Sequence, residues 1–420
     1  MLEGFLNRSR AVKRLRAGVF GSFLESYVDE VVVAGYRAAT IQGQLRILDC
    51  FQLWSAKRDL AVEDLSQTVA DKFVQGRRRS RKRRSMSRPT GGEIITLRLF
   101  LRHLETKGVI SLAPSEEMSA TEQIADRFGS FLKRERGLNP KTIQGYVPYT
   151  RRLLQERFQK DELDLSQLTP IDISLFITRH APSMSPKRAQ LMTSALRSFF
   201  RFLLQHGEID QDLAAAVPTV ADWRRARIPQ FITQTQVTAM LETCDRSTPC
   251  GRRNYALLLI LARLGLRASE VMDLLLTDID WRAGEITVHG KGKLVDRLPL
   301  PQDIGEALAD YLQHGRPKCK VAEVFVRDRA PHRRFGNVSC VSSIVRRALH
   351  RAGFVNLPKY GAQLLRSSLA TAMLHDGASM SEIGEVLRHR SPNTTELYVK
   401  VDFAGLRSLA QPWPGDGGAL

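Results

Sequence analysis

The sequence predicts a mainly α protein in which two tandem helical bundles precede a mixed α/β domain, mostly α with a small antiparallel sheet. Three observations carry that prediction. Apolar residues recur at spacings of three and four through most of the chain; an ordered set of short strings in the first half returns about a hundred residues later; and one stretch near residue 290 alternates as a β-hairpin.

The first bundle is read from Phe20, Phe23, Leu24, Tyr27 and Val28, and again from Leu97, Phe100, Leu101 and Leu104, which mark amphipathic helices of a unit of about four. Its strings then return in order. Thr40-Ile41-Gln42-Gly43 matches Thr142-Ile143-Gln144-Gly145, and Asp71 with Phe73 matches Asp172 with Phe176. Ser85-Met86-Ser87 matches Ser183-Met184-Ser185, and Leu97-Arg98-x-Phe100, closing with Gly108 and Ile110, matches Leu196-Arg197-x-Phe199, closing with Gly207 and Ile209. The offset drifts only as loop insertions allow, so the second bundle is a copy of the first. In the first copy, Arg77 to Arg88 holds eight basic residues in twelve without an acid. Such a run reads as a loop that seeks phosphate, with Arg77, Arg78, Arg79, Arg81, Lys82, Arg83 and Arg84 as candidate DNA-backbone ligands; a solvated loop that orders only on binding is compatible with it.

Residues 217–231 combine two prolines with Arg224, Arg225 and Arg227, break the helical pattern and read as a basic linker that also contacts DNA. Beyond it, Thr233 reads as the cap of a helix, and Glu285 to Leu300 as two β-favouring runs about a Gly-Lys-Gly turn. The expected domains are 1–115, a helical DNA-binding unit; 116–216, its repeat; the linker, 217–231; 232–402, the mixed domain; and a tail, 403–420.

Composition narrows the function. The 420 residues carry 63 Lys and Arg against 44 Asp and Glu, a net charge of +19, so the surface attracts polyanions and nucleic acid is the leading partner. The longest clean apolar stretch, Tyr255 to Ala262, is far shorter than the ~20 residues of a spanning helix. The opening residues lack an apolar signal core, which points to the cytoplasm and, for a DNA binder, to the nucleoid. Five cysteines without a CxxC pair and nine scattered histidines indicate neither a disulfide framework nor a metal site, so no metal and no cofactor are expected.

The chemistry is concentrated in the last third. Leu264-Gly-Leu-Arg267-Ala-Ser-Glu270, His289-Gly-Lys291-Gly-Lys293, Gln363-Leu-Leu-Arg366 and Leu387-Arg388-His389 follow one another, with Tyr398 nine residues after the histidine. Four boxes in this order resemble the tyrosine recombinase, or phage integrase, family over the whole mixed domain, and the second helical repeat resembles that family's core-binding domain. Physical chemistry explains the residue types. Guanidinium forks such as Arg267 and Arg366 oppose the charge that develops on a phosphodiester's non-bridging oxygens, bidentately and without deprotonating. A side-chain hydroxyl that displaces an alkoxide conserves the phosphodiester's energy as a covalent ester.

The resemblance implies that Tyr398 holds the DNA 3′-phosphate, that Lys291 protonates the leaving 5′-oxygen, and that His389 hydrogen-bonds the scissile phosphate. Lys293 competes with Lys291 for its role. Glu270, placed one helical turn after Arg267, is expected to orient its neighbours. One position departs from the family's His-x-x-Arg: Gln363 can donate and accept hydrogen bonds but cannot take a proton, so slower cleavage is expected. The implied function is site-specific recombination of double-stranded DNA through a 3′-phosphotyrosine, independent of metal and ATP. It implies a homotetramer on DNA, acting alone or with accessory or sister recombinases, in a mobile element that integrates or transposes. The alternatives are a catalytically impaired, recombinase-like DNA binder and a type IB topoisomerase-like activity. Phe403, Leu406, Leu409 and Trp413 in the tail offer anchors for a neighbouring subunit or for the chain's own domain.

Overall fold

The computed structural model describes residues 2–5, 9–83, 92–110, 119–158, 163–220, 229–290, 294–358 and 360–401. The chain divides into two compact units, one made of residues 1–113 together with 228–420 and the other of 114–227.

Five helices form the first bundle: α1 (Ser9–Ala17), α2 (Gly21–Val33), α3 (Ala38–Ala56), α4 (Gln67–Arg83) and α5 (Gly92–Thr106). Their buried stripes meet in a core rich in aromatic side chains, where the Phe20 ring lies 5.4 Å from Phe51 and 5.2 Å from Phe100. The spacing predicted about four helices. The additional one is α1, which buries Val12 and Leu15 in the same core while Arg14 and Arg16 on its outer face pair with Asp49, Glu3 and Glu25. A second difference concerns the basic run. Residues through Arg83 continue α4 instead of forming a loop, because Arg and Lys are good helix formers and Ala70, Phe73 and Val74 anchor the helix to the core.

The other unit holds α6 (Ala120–Arg134), α7 (Pro140–Phe158), α8 (Pro170–His180) and α9 (Pro186–Gln205). These follow the order of α2 to α5: the Thr-Ile-Gln-Gly strings lie in α3 and α7, and the Leu-Arg-x-Phe strings in α5 and α9. Phe128, Phe199 and Phe202 fill this second core, which extends to Val217. Thr169 and Asp172 form a reciprocal cap on α8.

The mixed part opens with α10 (Gln234–Glu242), capped by Thr233 as the sequence predicts. The all-apolar run then lies in α11 (Pro249–Arg263), where residues 256 to 262 are all buried, as an uninterrupted apolar surface requires. After α12 (Ala268–Asp273) comes an antiparallel sheet of order β1 (Ile279–Asp280), β2 (Glu285–His289), β3 (Val295–Pro299). Pairing of Ile286 with Leu298 sets the register of the predicted hairpin, and Ile286 and Val288 point into the core. The remaining helices are α13 (Gln302–His314), α14 (Val338–Arg351), α15 (Ala362–His375), α16 (Met380–Val386) and α17 (Pro392–Thr395), followed by a 3₁₀ turn over Glu396–Val401.

Within the first unit the N-terminal bundle touches the mixed part at the α2–α3 turn. The His332 backbone N–H donates to the Ala34 carbonyl at 3.3 Å. Gly35, at φ +83°, leaves the room the His332 ring occupies, for a Cβ there would lie 2.4 Å from the ring. Burial pushes the neighbouring Tyr36 phenol up, and the Arg333 and Arg327 charges oppose that shift.

Candidate active site

Arg267 ends the turn that follows α11. The turn depends on Gly265, whose φ of +57° suits glycine and whose Cβ, if present, would stand 2.8 Å from Leu387 Cδ2 and 3.0 Å from Leu369 Cδ2. Close packing there lets the Gly265 carbonyl accept from Arg366 Nη1 at 2.5 Å. A second carbonyl, that of Leu387, accepts from Arg366 Nη2. Arg366 on α15 therefore ties the end of α11 to the end of α16, with only 2% of the residue exposed. Burial first, and then the Arg267 and Arg388 charges, push its pKa down to about 10, which leaves it a cation at neutral pH.

Arg267 lies just before α12, and Glu270 reaches back to it. One carboxylate oxygen accepts the Arg267 backbone N–H at 2.9 Å and the other accepts Arg267 Nη1 at 2.6 Å. The sequence placed the two on one helix face. Instead Arg267 is the N-cap, with extended backbone, and the pair closes the helix start. Burial works against the Glu270 charge, yet the Arg267 N–H, its guanidinium and the Arg388 charge hold the carboxyl below its usual range.

His389 follows α16 and is fixed by a short chain of contacts. Its Nδ1 lies 2.8 Å from the hydroxyl of buried Thr395. When that hydroxyl donates to Nδ1, the ring proton resides on Nε2. Burial and the charges of Arg366, Arg267 and Arg388 push His389 down to about 4, so it is neutral at pH 7. Tyr398, in the 3₁₀ turn after α17, stacks parallel to His389 with ring centroids 6.4 Å apart. It packs with Ala370, Ile383 and Leu387 and is 4% exposed. Its phenol is close enough to Arg366 to interact with it electrostatically. Beside these groups lies a cleft of about 720 Å³ lined by Asp296, Glu385, Arg388, His389 and Thr395.

Arg267, Glu270, Arg366, His389 and Tyr398 are thus brought together. Gln363 lies on α15 three residues before Arg366 and is exposed. Lys291 and Lys293 lie outside the described residues, although the hairpin that carries them is closed by the Gly290 N–H donating to the Leu294 carbonyl at 2.8 Å. Arg77 pairs with Glu93 at 3.3 Å and stands over the Phe73 ring. Arg78, Arg79, Arg81, Lys82 and Arg83 have helical backbone, and nothing of their side chains is described; Arg84, Arg224, Arg225, Arg227 and the tail are outside the described residues. Arg388, Thr395 and Asp296 were not singled out by sequence reasoning. For Arg388 the signal was present: a long cation directly after a helix end, where glycine is the usual residue.

The phage integrase family matches residues 230–404, and the phage integrase N-terminal SAM-like domain matches residues 125–207. A relative from Sinorhizobium fredii (strain NBRC 101917 / NGR234), provisionally named integrase/recombinase y4rA, is 39% identical over 99% of this chain and 100% of its own. The chain belongs to the phage integrase family of tyrosine recombinases. Tyrosine recombinase XerC of Lactobacillus delbrueckii subsp. bulgaricus (strain ATCC BAA-365 / Lb-18) is 30% identical over 67% of this chain and 96% of its own. Among solved structures, the XerH site-specific recombinase bound to palindromic difH substrate in a post-cleavage complex shares the fold. Its TM-score is 0.54 at 21% identity, covering 69% of this chain and 84% of that one. This recombinase is a site-specific DNA recombination enzyme, mostly helical with a small three-stranded antiparallel sheet. No helix among its described residues is long and apolar enough to cross a membrane.

Proposed function

We propose that this recombinase cleaves and rejoins double-stranded DNA through a covalent 3′-phosphotyrosine at Tyr398, with neither metal nor ATP. The observation that carries the reading is the convergence of two guanidinium groups, a neutral imidazole and a phenol, from residues 267 to 398, around one site. Arg267 and Arg366 oppose the charge on the non-bridging oxygens, and their positions are fixed before DNA arrives, which is the condition for electrostatic stabilisation to be effective. His389 donates from Nε2 to the phosphate. Tyr398 gives up its phenolic proton to solvent water as its oxygen attacks phosphorus, the bond to the 5′-oxygen breaks, and Lys291 supplies the proton that the leaving oxygen needs. Because the ester keeps the phosphodiester's energy, a 5′-hydroxyl reverses the step and reseals a strand. Gln363 positions but accepts no proton, so cleavage is slower, not lost. Tyr398 is buried, so its ring unpacks from Ile383 and Leu387 to reach phosphorus.

The helical repeats bind the duplex, with Arg77 to Arg84 and Arg224, Arg225 and Arg227 on phosphates, and the first repeat lengthens the footprint. Two duplexes cut in staggered pairs call for a homotetramer on DNA, joined through residues 403–420, in the cytoplasm at the nucleoid. It acts alone or with accessory or sister recombinases, in an element that integrates or transposes.

The test is a nicked suicide duplex carrying a site selected by binding from a random pool. A covalent protein–DNA band on a denaturing gel is expected from the wild type and is abolished by Tyr398→Phe, which still shifts the duplex on a native gel. Binding without any adduct leaves a DNA-binding protein, and relaxation of supercoils without strand exchange leaves a topoisomerase-like enzyme; either overturns the proposal.

A further inference from the structure

We propose that Arg388 is a positioning residue of the recombination reaction. Its buried guanidinium neutralises Glu270, and so keeps Arg267 available to phosphate, while facing Asp296 on the strand that follows the Lys291 turn. The inference rests on the roles given above to Arg267 and Lys291.

The backbone supplies the first observation. At the end of α16 the Arg388 N–H donates to the Glu385 carbonyl at 2.9 Å and the His389 N–H to the Gly384 carbonyl at 2.8 Å. This is the double-bonded helix ending whose next residue adopts the left-handed region, and Arg388 adopts it, with φ +55°. Glycine enters that region without a penalty and arginine does not. The arginine therefore opposes the local backbone preference, and its side chain must compensate.

That side chain is not a solvated surface cation, for only 7% of it is exposed. Nη2 lies 2.9 Å from Glu270 Oε2, Nη1 donates to the Val386 carbonyl at 3.2 Å, and Nε has no hydrogen-bond partner but faces Asp296 Oδ2 at 3.8 Å. Glu270 is 2% exposed at its side chain and engages Arg267 with its other oxygen.

Charge bookkeeping then assigns the role. A lone carboxylate under Arg267 would cancel that cation where the phosphate needs it. A second guanidinium on the same carboxylate restores the balance, so that Arg267 and Arg366 meet the substrate with both charges. Arg388 also joins α12 to β3 through Glu270 and Asp296, linking the element that presents Arg267 to the hairpin that carries Lys291.

Arg388→Gly is the decisive variant, because it relieves the positive φ while removing the guanidinium. With the suicide duplex, single-turnover adduct formation is expected to slow by about 10–100-fold, the effect typical of losing a group that orients a reacting one. The melting temperature is expected to be unchanged or higher, and DNA affinity on native gels unchanged. Arg388→Lys, which keeps the charge without the fork, is expected to recover part of the rate. In a Glu270→Gln background, Arg388→Gly is expected to cost little more, since the two act through one contact. A wild-type rate for Arg388→Gly, a rate loss that tracks a fall in melting temperature, or losses that multiply in the double variant would each overturn the proposal. If the wild type itself forms no adduct, the underlying reading fails; an adduct made equally well by wild type and Arg388→Gly defeats the Arg388 role alone.

Discussion

His389 is held neutral by its surroundings: burial, then Arg366, Arg267 and Arg388, with Thr395 at one ring nitrogen and Tyr398 stacked beside it. The sign of the consequence is fixed. Between the ordinary value of 6.5 and about 4, the unfolded chain binds a proton at this ring and the folded chain does not. Stability present above 6.5 is therefore lost progressively as the pH falls toward 4. Urea unfolding of wild type and His389→Gln across that window is expected to show a shallower pH dependence in the variant. Equal slopes would mean that the ring does not titrate abnormally. His389, Arg366, Arg267 and Tyr398 were legible because the types that handle phosphate fall in ordered strings. Thr395 and Asp296 were not, since a threonine in a Pro-Asn-Thr-Thr run and an aspartate in a strand acquire meaning only when folding brings them against His389 and Arg388. Burial of Tyr398 was legible in part: its neighbours Leu397, Val399 and Val401 suggest packing, but only the fold shows Ile383 and Leu387 beneath it.

At the scale of elements, the junction between α11 and α12 is a constrained piece of backbone in the site. Gly265 combines a positive φ with Leu387 and Leu369 at contact distance, and its carbonyl holds Arg366. Gly265→Ala is expected to cost about 1–3 kcal/mol, the usual range for one residue held in an unfavourable backbone region, read by urea denaturation. The variant is also expected to slow adduct formation, because Arg366 loses its seat. Retention of full stability would show that the turn yields. The helix start at Thr233 was readable because its chemistry is local: Thr233 caps its helix with a partner three residues on. The hairpin was readable from alternation. Strand β1 was not, since two residues carry no period, and the basic run was misjudged as a loop because charge says nothing of backbone when apolar residues upstream pin the same helix.

For the whole molecule, a net charge of +19 makes binding to DNA an exchange of bound counterions for protein cations. Affinity for a duplex is expected to fall by about 10³–10⁵ between 50 and 200 mM salt if about six to ten phosphates are engaged. A filter-binding series nearly flat in salt would exclude backbone contacts as the main source of affinity. The succession of two helical bundles was legible in the spacing of apolar residues, whereas the meeting of the first bundle with the mixed part was not, for Ala34, Gly35 and His332 form no pattern along the chain. That contact has a bearing on biosynthesis. The α2–α3 turn leaves the ribosome about 300 residues before the loop that receives it, a wait of about 15–60 s at ordinary elongation rates of about 5–20 residues per second. Throughout that interval the early bundle must persist on its own aromatic interior, and its α2–α3 turn finds its partner only once the loop around His332 has emerged.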